Sequence, residues 1–162
     1  MLEAGKAAPL FTLTRSGGKP LALAEALKKG PVLAAFFKIS CPICQFTFPF
    51  IERLHERYGD EKLTIWGISQ DDAADTKDFC SEFEIKFPTL GDDNGYSVSN
   101  RYQITNVPSL FLIEPDGTIS ISQTGFSKKD LEEIAAKLAA ASGKLAGPLF
   151  KPSEIVPDYK PG

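Results

Sequence analysis

A run of seven apolar residues, Pro31–Phe37, is the sequence feature that most constrains the fold. A continuous apolar run of this length is typical of a strand that is covered on both faces, as in a largely parallel sheet. Cys41 and Cys44 follow shortly after it. A stripe of apolar residues with helical spacing comes next, formed by Phe46, Phe50, Leu54 and Tyr58. The sequence therefore predicts a strand-to-helix junction that carries a Cys-x-x-Cys pair.

Further strands and helices alternate along the rest of the chain. We predict a short amino-terminal strand or hairpin at 11–20, strands at 63–68, 109–113 and 118–121, and helices at 22–29, 71–83, 96–102 and 127–141. The helix after Cys44 should end at Gly59 and bend at Pro49, which removes one backbone donor. Pro115, Asp116 and Gly117 suit a tight turn between two antiparallel strands. This order of elements indicates an α/β domain.

The last twenty residues differ in character from those before them. From Gly143 onward four prolines prevent a helix from continuing, and apolar side chains lie between them. We therefore predict one domain at 1–142 and an extended, Pro-rich carboxy-terminal arm at 143–162 that lies on the domain.

Composition excludes several classes of function. The chain has 162 residues, of which 43% are hydrophobic, enough for one full core. Its 18 basic and 21 acidic residues form no basic block, which argues against nucleic acid as a partner. No apolar stretch reaches the roughly 20 residues that span a bilayer. Residues 1–9 lack the apolar region of a secretory signal, so we expect a cytoplasmic protein, or an exported or periplasmic one if a leader has been removed.

The cysteine pair lies where a helix can activate a sulfur atom. A cysteine at the amino terminus of a helix faces unpaired N–H groups and the positive end of the helix dipole, which favour a thiolate. Cys41 is thus the expected nucleophile and Cys44, one turn later, the resolving cysteine. Pro42 suits the first helical turn, and Ile43 offers an apolar contact to a substrate. Because neither of them carries a positive charge, we expect a reductase-like potential.

The remaining cysteine and the single histidine offer little for metal binding. A zinc site needs four ligands, and only Cys80 and His55 are available beyond the pair. We therefore expect no metal and no cofactor. Cys80 shares a helix face with Phe79 and Phe83, which indicates a buried, unreactive thiol, with a resolving role as the alternative. His55 stands among charged residues, which predicts a solvated surface position.

Three segments together resemble the thioredoxin superfamily: Val32–Phe37, Cys41–Cys44 and Asn106–Gly117. The resemblance covers roughly residues 5–141 and is greatest to the redoxin branch, with TlpA-like and AhpC/TSA-like proteins. It implies a thioredoxin-like three-layer α/β/α fold with a central mixed sheet, and a monomer that exchanges disulfides with protein or small-thiol substrates. An upstream electron donor and roles in antioxidant activity and cell redox homeostasis are implied as well.

The resemblance also implies roles for the residues just before the predicted strand at 109–113. In this superfamily the proline at that position follows a cis peptide bond and lies against the active-site sulfurs. Val107–Pro108 is the matching bond here. The backbone before such a proline pairs with a bound peptide in the manner of a strand. Val107 and Pro108 are therefore expected to bind substrate together with Pro42 and Ile43.

The chain departs from its relatives where they keep a carboxylate for proton transfer. Thioredoxin has a buried Asp six residues before the first cysteine, whereas this chain has Ala35. TlpA-like reductases often have a Glu three residues after the second cysteine, whereas this chain has Thr47. Ser40 replaces the tryptophan common before the first cysteine. Two candidates remain for promoting loss of the Cys44 proton: a bound water, or Lys38 shifting the pKa of the thiol.

Three other functions compete with disulfide exchange. A peroxiredoxin needs Thr or Ser three residues before its reactive cysteine, but Lys38 is at that position before Cys41. A Sco-type copper chaperone uses a spacing one residue longer and a distant histidine, and no histidine follows His55. A catalytically silent interaction module would not require an intact cysteine pair. Thiol peroxidase activity is the first of these alternatives.

Overall fold

The computed structural model describes residues 1–162 and contains nine strands and five helices. The strands are β1 (Thr12–Thr14), β2 (Pro20–Ala22), β3 (Val32–Phe37), β4 (Thr64–Ser69), β5 (Thr89–Gly91), β6 (Ser109–Ile113), β7 (Ile119–Thr124), β8 (Phe126–Ser127) and β9 (Tyr159–Lys160). The helices are α1 (Leu23–Leu27), α2 (Pro42–Tyr58), α3 (Ala73–Glu82), α4 (Ser97–Arg101) and α5 (Lys128–Ser142).

A five-stranded mixed sheet in the order β5-β4-β3-β6-β7 forms the centre of the protein. Strand β3 lies in the middle, parallel to β4 and antiparallel to β6. Its six residues are all buried, which agrees with the prediction of a strand covered on both faces. Strand β7 pairs with β6 in an antiparallel hairpin, as predicted.

Side chains of β3 point alternately into two cores, one on each face of the sheet. Leu33, Ala35 and Phe37 belong to the core that α2, α3 and α5 cover. Val32, Ala34 and Phe36 belong to the other core, which α1, α4 and the amino-terminal residues cover. This two-sided burial produces the three α/β/α layers expected from the resemblance.

The helix ends follow their local sequence. Cys41 precedes the first residue of α2, Pro42, whose missing N–H costs nothing at that position. The Ser127 hydroxyl accepts the N–H of Asp130 at 3.2 Å and so caps α5, as predicted. Gly143 ends α5 with φ +70°, a backbone conformation that glycine adopts without steric cost.

Two pairings were not predicted from the sequence. Strand β5 has only three residues, too few to show a periodic pattern. Strand β9 has two residues between prolines and pairs antiparallel with β8. Both strands are defined by their partners and not by their own composition.

Residues 143–162 pass along α2 and then pair with β8, just before α5. Leu149 and Phe150 are buried, and the Phe150 ring lies 4.9 Å from the Phe50 ring, centre to centre. The guanidinium of Arg53 binds both carboxylate oxygens of Glu154, at 2.8 and 3.0 Å. Apolar burial and a bidentate ion pair therefore hold this stretch against α2.

None of the helices combines the length and the apolar character that a membrane-spanning segment requires.

Candidate active site

The sheet topology brings three segments to one edge. Strands β3 and β4 are parallel, so the residues that follow them, Cys41 and Asp71, lie at the same end of the sheet. Strand β6 is antiparallel to β3, so the residues before it, Val107 and Pro108, lie at that end too. The Val107–Pro108 peptide bond is cis, as the resemblance predicted.

Cys41 is half-buried at the amino terminus of α2. Its Sγ accepts the backbone N–H of Cys44 at 3.1 Å, in the geometry of a helix cap. Its thiol donates to the carbonyl oxygen of Val107 at 3.4 Å. The sulfur therefore faces both the positive end of the α2 dipole and the loop that carries the cis-proline.

Cys44 lies beneath Cys41 in the core formed by α2, α3 and α5, and none of its surface is exposed. Burial raises the pKa of the Cys44 thiol well above its usual value, and a hydrogen bond with Cys41 raises it further. Cys44 therefore holds its proton at neutral pH. The two cysteines differ in exposure as a nucleophile and a resolving thiol should.

Asp71 fixes the loop before Cys41. Its Oδ2 accepts the N–H of Ile39 at 2.8 Å, while the side chain of Gln45 donates to the Ile39 carbonyl at 2.9 Å. The backbone of Ile39 is thus held on both sides. Asp71 was predicted from the sequence only as the start of a helix and not as a residue of the site. The sequence does place Asp71 shortly after β4, just as Cys41 follows β3, and this correspondence could have indicated that the two residues lie at the same end of the sheet.

The loop before β6 leaves one backbone group of Val107 free. Ser109 donates its hydroxyl to the Asn106 carbonyl at 2.6 Å, which tightens the loop around the cis bond. The N–H of Val107 donates to no group of the protein. Val107 is half-buried and Pro108 is buried. This N–H is therefore available to a bound strand.

The other expected substrate contacts surround the sulfur of Cys41. Pro42 is exposed and Ile43 is half-buried. The Thr47 hydroxyl is buried and donates to the Ile43 carbonyl at 2.6 Å, so it is already committed to the helix backbone. Ala35 is fully buried between Gly67 and Leu110. Neither Ala35 nor Thr47 supplies a proton acceptor for Cys44.

Cys80 and His55 lie outside this cluster. Cys80 is half-buried, and its thiol lies 3.9 Å from the hydroxyl of Thr89. Burial raises the pKa of the Cys80 thiol.

The prediction that His55 is solvated was wrong. Its ring is half-buried and packs against Phe87, with the ring centres 6.1 Å apart. Its charged neighbour Glu52 is itself buried and accepts the backbone N–H of Phe87, so charged residues around His55 in sequence do not mark a solvated face. No group of three or more metal-ligating side chains is assembled in the protein.

Several known proteins to which the chain is similar are named thiol–disulfide oxidoreductases. The chain is 30% identical over 139 residues to "Thiol-disulfide oxidoreductase ResA" of Bacillus thuringiensis subsp. konkukian, which covers 85% of this chain and 79% of the relative. The thioredoxin domain of a thiol-disulfide oxidoreductase from Bacteroides vulgatus superposes with a TM-score of 0.74 at 25% identity, covering 85% of this chain and 98% of that one. A putative thiol:disulfide interchange protein DsbE from Chlorobium tepidum gives a TM-score of 0.76 at 24% identity, covering 88% and 100%.

A thioredoxin-like sheet with a Cys-x-x-Cys pair at the start of a helix defines an enzyme of the thiol–disulfide oxidoreductase class. The sequence profile of the AhpC/TSA family matches residues 4–122. The chain belongs to that family, in the redoxin branch of the thioredoxin superfamily.

Proposed function

We propose that the protein reduces disulfides of protein or small-thiol substrates, with Cys41 as the nucleophile and Cys44 as the resolving cysteine. The observation that carries this proposal is the contrast between the two sulfurs. Cys41 Sγ is half-buried and accepts the first-turn N–H of α2, whereas Cys44 is fully buried behind it. Only Cys41 can meet a substrate, and only Cys44 is placed to meet Cys41.

In the first step the Cys41 thiolate attacks one sulfur of the substrate disulfide. A bond forms between Cys41 Sγ and that sulfur, the substrate S–S bond breaks, and the second substrate sulfur leaves as a thiolate. The N–H of Val107 can pair with the substrate backbone during this step. Pro42 and Ile43 contact the substrate beside the reacting sulfur.

In the second step Cys44 loses its proton and attacks Cys41 Sγ. The mixed disulfide breaks, the first substrate sulfur leaves, and a Cys41–Cys44 disulfide remains. The substrate gains two electrons from the enzyme and one proton from Cys44; the second proton comes from solvent, which took the Cys41 proton when the thiolate formed. Because Ala35 and Thr47 offer no carboxylate, we propose that the substrate thiolate released in the first step takes the Cys44 proton.

The residues between the cysteines support the direction of exchange. Pro42 and Ile43 add no positive charge beside Cys41, so no side chain there stabilises the thiolate of the reduced form and makes the protein a strong oxidant. Equilibration with a glutathione series measures the reduction potential. A value near about −270 mV supports a reductase, and a value near about −120 mV contradicts it.

Two assays on the purified protein test the activity itself. We expect the reduced protein to reduce insulin, and Cys41→Ser to abolish that activity. Hydrogen peroxide consumed faster than insulin is reduced, through Cys41, would instead establish a thiol peroxidase. The Lys38 side chain, where a peroxiredoxin has Thr or Ser, supports disulfide exchange as the expected result.

We further propose that the protein acts as a monomer and receives electrons from a separate thiol or dithiol donor. The large apolar side chains that remain exposed are scattered along the chain: Leu10, Tyr96, Leu145, Ile155 and Tyr159. Such scattered residues do not require a partner subunit. Light scattering coupled to size exclusion tests this, and a dimer mass would contradict it.

A further inference from the structure

The last residues of the chain lie beside the active site. Strand β9 pairs Lys160 with Phe126 and Tyr159 with Ser127, and the Asp158 carbonyl accepts the N–H of Lys128 at 2.9 Å. The ammonium of Lys160 lies 5.2 Å from the centre of the Phe46 ring, and Phe46 is two residues after Cys44. Residues 159–162, here called the tail segment, thereby run from the start of α5 towards the cis-proline loop.

The tail segment ends on the loop that carries Val107. The Asn106 side chain donates to the Gly162 carbonyl at 3.3 Å. A methyl group on the α-carbon of Gly162 would lie 2.5 Å from the carbonyl oxygen of Val107. Gly162 therefore packs directly on the carbonyl to which the Cys41 thiol also donates.

This carbonyl is one of two backbone groups that a bound strand needs. A residue in a hydrogen-bonded antiparallel pair exchanges both its N–H and its C=O with the residue opposite. The N–H of Val107 has no partner in the protein, but its carbonyl is covered by Gly162. A peptide that pairs with Val107 as a strand must take the space that Gly162 fills.

We infer that the tail segment is an intramolecular occupant of the peptide-binding edge and sets the substrate class of this site. Small disulfides react with Cys41 while the tail segment is in place, and a disulfide in a protein chain reacts only after the segment has moved away. This inference rests on the proposed disulfide reduction and adds a selection among its substrates.

The tail segment can leave without the rest of the arm. It is held by a strand of two residue pairs, and Tyr159, Pro161 and Gly162 are exposed. The stretch before it is fastened separately, through the buried Phe150 and the Arg53–Glu154 ion pair. Displacement of residues 159–162 therefore breaks few contacts and leaves the anchor on α2 intact.

Gly125 provides a substitution that displaces the tail segment. It has φ +70°, and a methyl group on its α-carbon would overlap the Lys160 carbonyl and lie 2.9 Å from the Gly162 nitrogen. Gly143 also has φ +70°, but a methyl group there would meet nothing within 4 Å. Gly125→Ala and Gly143→Ala thus both place an alanine at φ +70°, and only the first pushes on the tail segment.

The test compares single-turnover rates of the reduced variants with insulin and with 2-hydroxyethyl disulfide. If the tail segment leaves the backbone of Val107 uncovered in about a tenth of the wild-type molecules, Gly125→Ala should raise the second-order rate constant with insulin about tenfold. The rate with 2-hydroxyethyl disulfide should not change, and Gly143→Ala should match wild type with both substrates. Hydrogen exchange of residues 159–162 should become faster only in Gly125→Ala.

Deletion of residues 159–162 decides the question if Gly125→Ala does not fold, because it retains Phe150 and Glu154. A deletion variant that reduces insulin at the wild-type rate or more slowly overturns the inference, and so does an equal gain with both substrates. Failure of the proposed function is distinct, since then wild type reduces neither insulin nor 2-hydroxyethyl disulfide.

Discussion

The carboxylate of Asp71 accepts the backbone N–H of Ile39 at 2.8 Å, two residues before the reactive Cys41. Asp71 follows β4 and Ile39 follows β3, so this bond joins the ends of two parallel strands. It holds the turn from which α2 begins. The position of the Cys41 sulfur over the first turn of the helix therefore depends on a side chain from a different strand.

Asp71→Ala should destabilise the protein and slow the attack by Cys41. A hydrogen bond to a charged group contributes about 1.5 to 3 kcal/mol, so the free energy of unfolding should fall by that amount in urea denaturation. The rate with 2-hydroxyethyl disulfide should fall as well, and Asp71→Asn should recover part of it because its amide oxygen can still accept. Asp93→Ala, which removes an exposed carboxylate without a hydrogen bond, is the control. Equal effects of Asp71→Ala and Asp93→Ala would show that the Ile39 bond contributes nothing.

Cys44→Ser should trap the first intermediate. Cys41 can still attack a substrate disulfide, but no buried thiol is then present to release it, so a one-to-one mixed disulfide should accumulate. Intact mass spectrometry in a Cys80→Ser background measures this adduct. Cys41→Ser should form no adduct and should show no turnover above the uncatalysed exchange. An adduct through Cys44 in Cys41→Ser would reverse the assigned roles.

Much of the site could be predicted because its signals are local in sequence. The buried run of β3, the pair at 41 and 44 and the helical stripe after it lie within thirty consecutive residues. The turn at 115–117 also formed as expected, with Gly117 at φ +89° and Asp116 accepting the N–H of Thr118 at 2.9 Å. Local turn and cap chemistry does not depend on the rest of the fold.

The missed features depend on contacts between distant segments. Asp71 became part of the site only through the parallel register of β3 and β4. Strand β9 exists because β8 offers it an edge, and its own residues between prolines indicate no strand. His55 packs on Phe87, a residue of a loop that the periodicity of α2 cannot show. Such contacts follow from topology, which a single periodic pattern does not contain.

Native alkylation should distinguish the three cysteines. Burial raises the pKa of Cys44 and of Cys80, so both thiols stay protonated as the pH rises through the neutral and mildly alkaline range. Iodoacetamide should therefore modify Cys41 first and the half-buried Cys80 more slowly, with the fully buried Cys44 modified only after unfolding in urea. Peptide mass spectrometry after a time course measures this. Modification of Cys44 as fast as that of Cys41 in the folded protein would contradict its burial.

Glu52 should stabilise the fold without affecting the chemistry. This buried residue of α2 accepts the backbone N–H groups of Lys86 and Phe87, at 2.8 and 3.2 Å, with one carboxylate oxygen. Glu52→Ala leaves both donors without a partner and should lower the free energy of unfolding by about 3 kcal/mol. Glu56→Ala, an exposed change on the same helix, should have little effect. The rate with 2-hydroxyethyl disulfide should be unchanged in both variants. A lower rate in Glu52→Ala alone would show that Glu52 contributes to disulfide exchange.

The Arg53–Glu154 pair should persist in acid until well below the usual range for a carboxylate. The hydrogen bonds from Arg53 and from the Lys151 backbone lower the pKa of Glu154 from 4.5 to about 2. Because the folded pKa is the lower one, the stabilisation is complete above the unfolded value of 4.5 and is lost as the pH falls from there through about 2. Side-chain NMR titration of Glu154 should report this value, and the hydrogen-exchange protection factors of residues 149–154, corrected for the intrinsic rate, should fall over the same interval. Glu154→Gln should remove that pH dependence, whereas the exposed change Glu132→Gln should keep it. A Glu154 titration near 4.5 would mean that the arm is not held by Arg53 in solution.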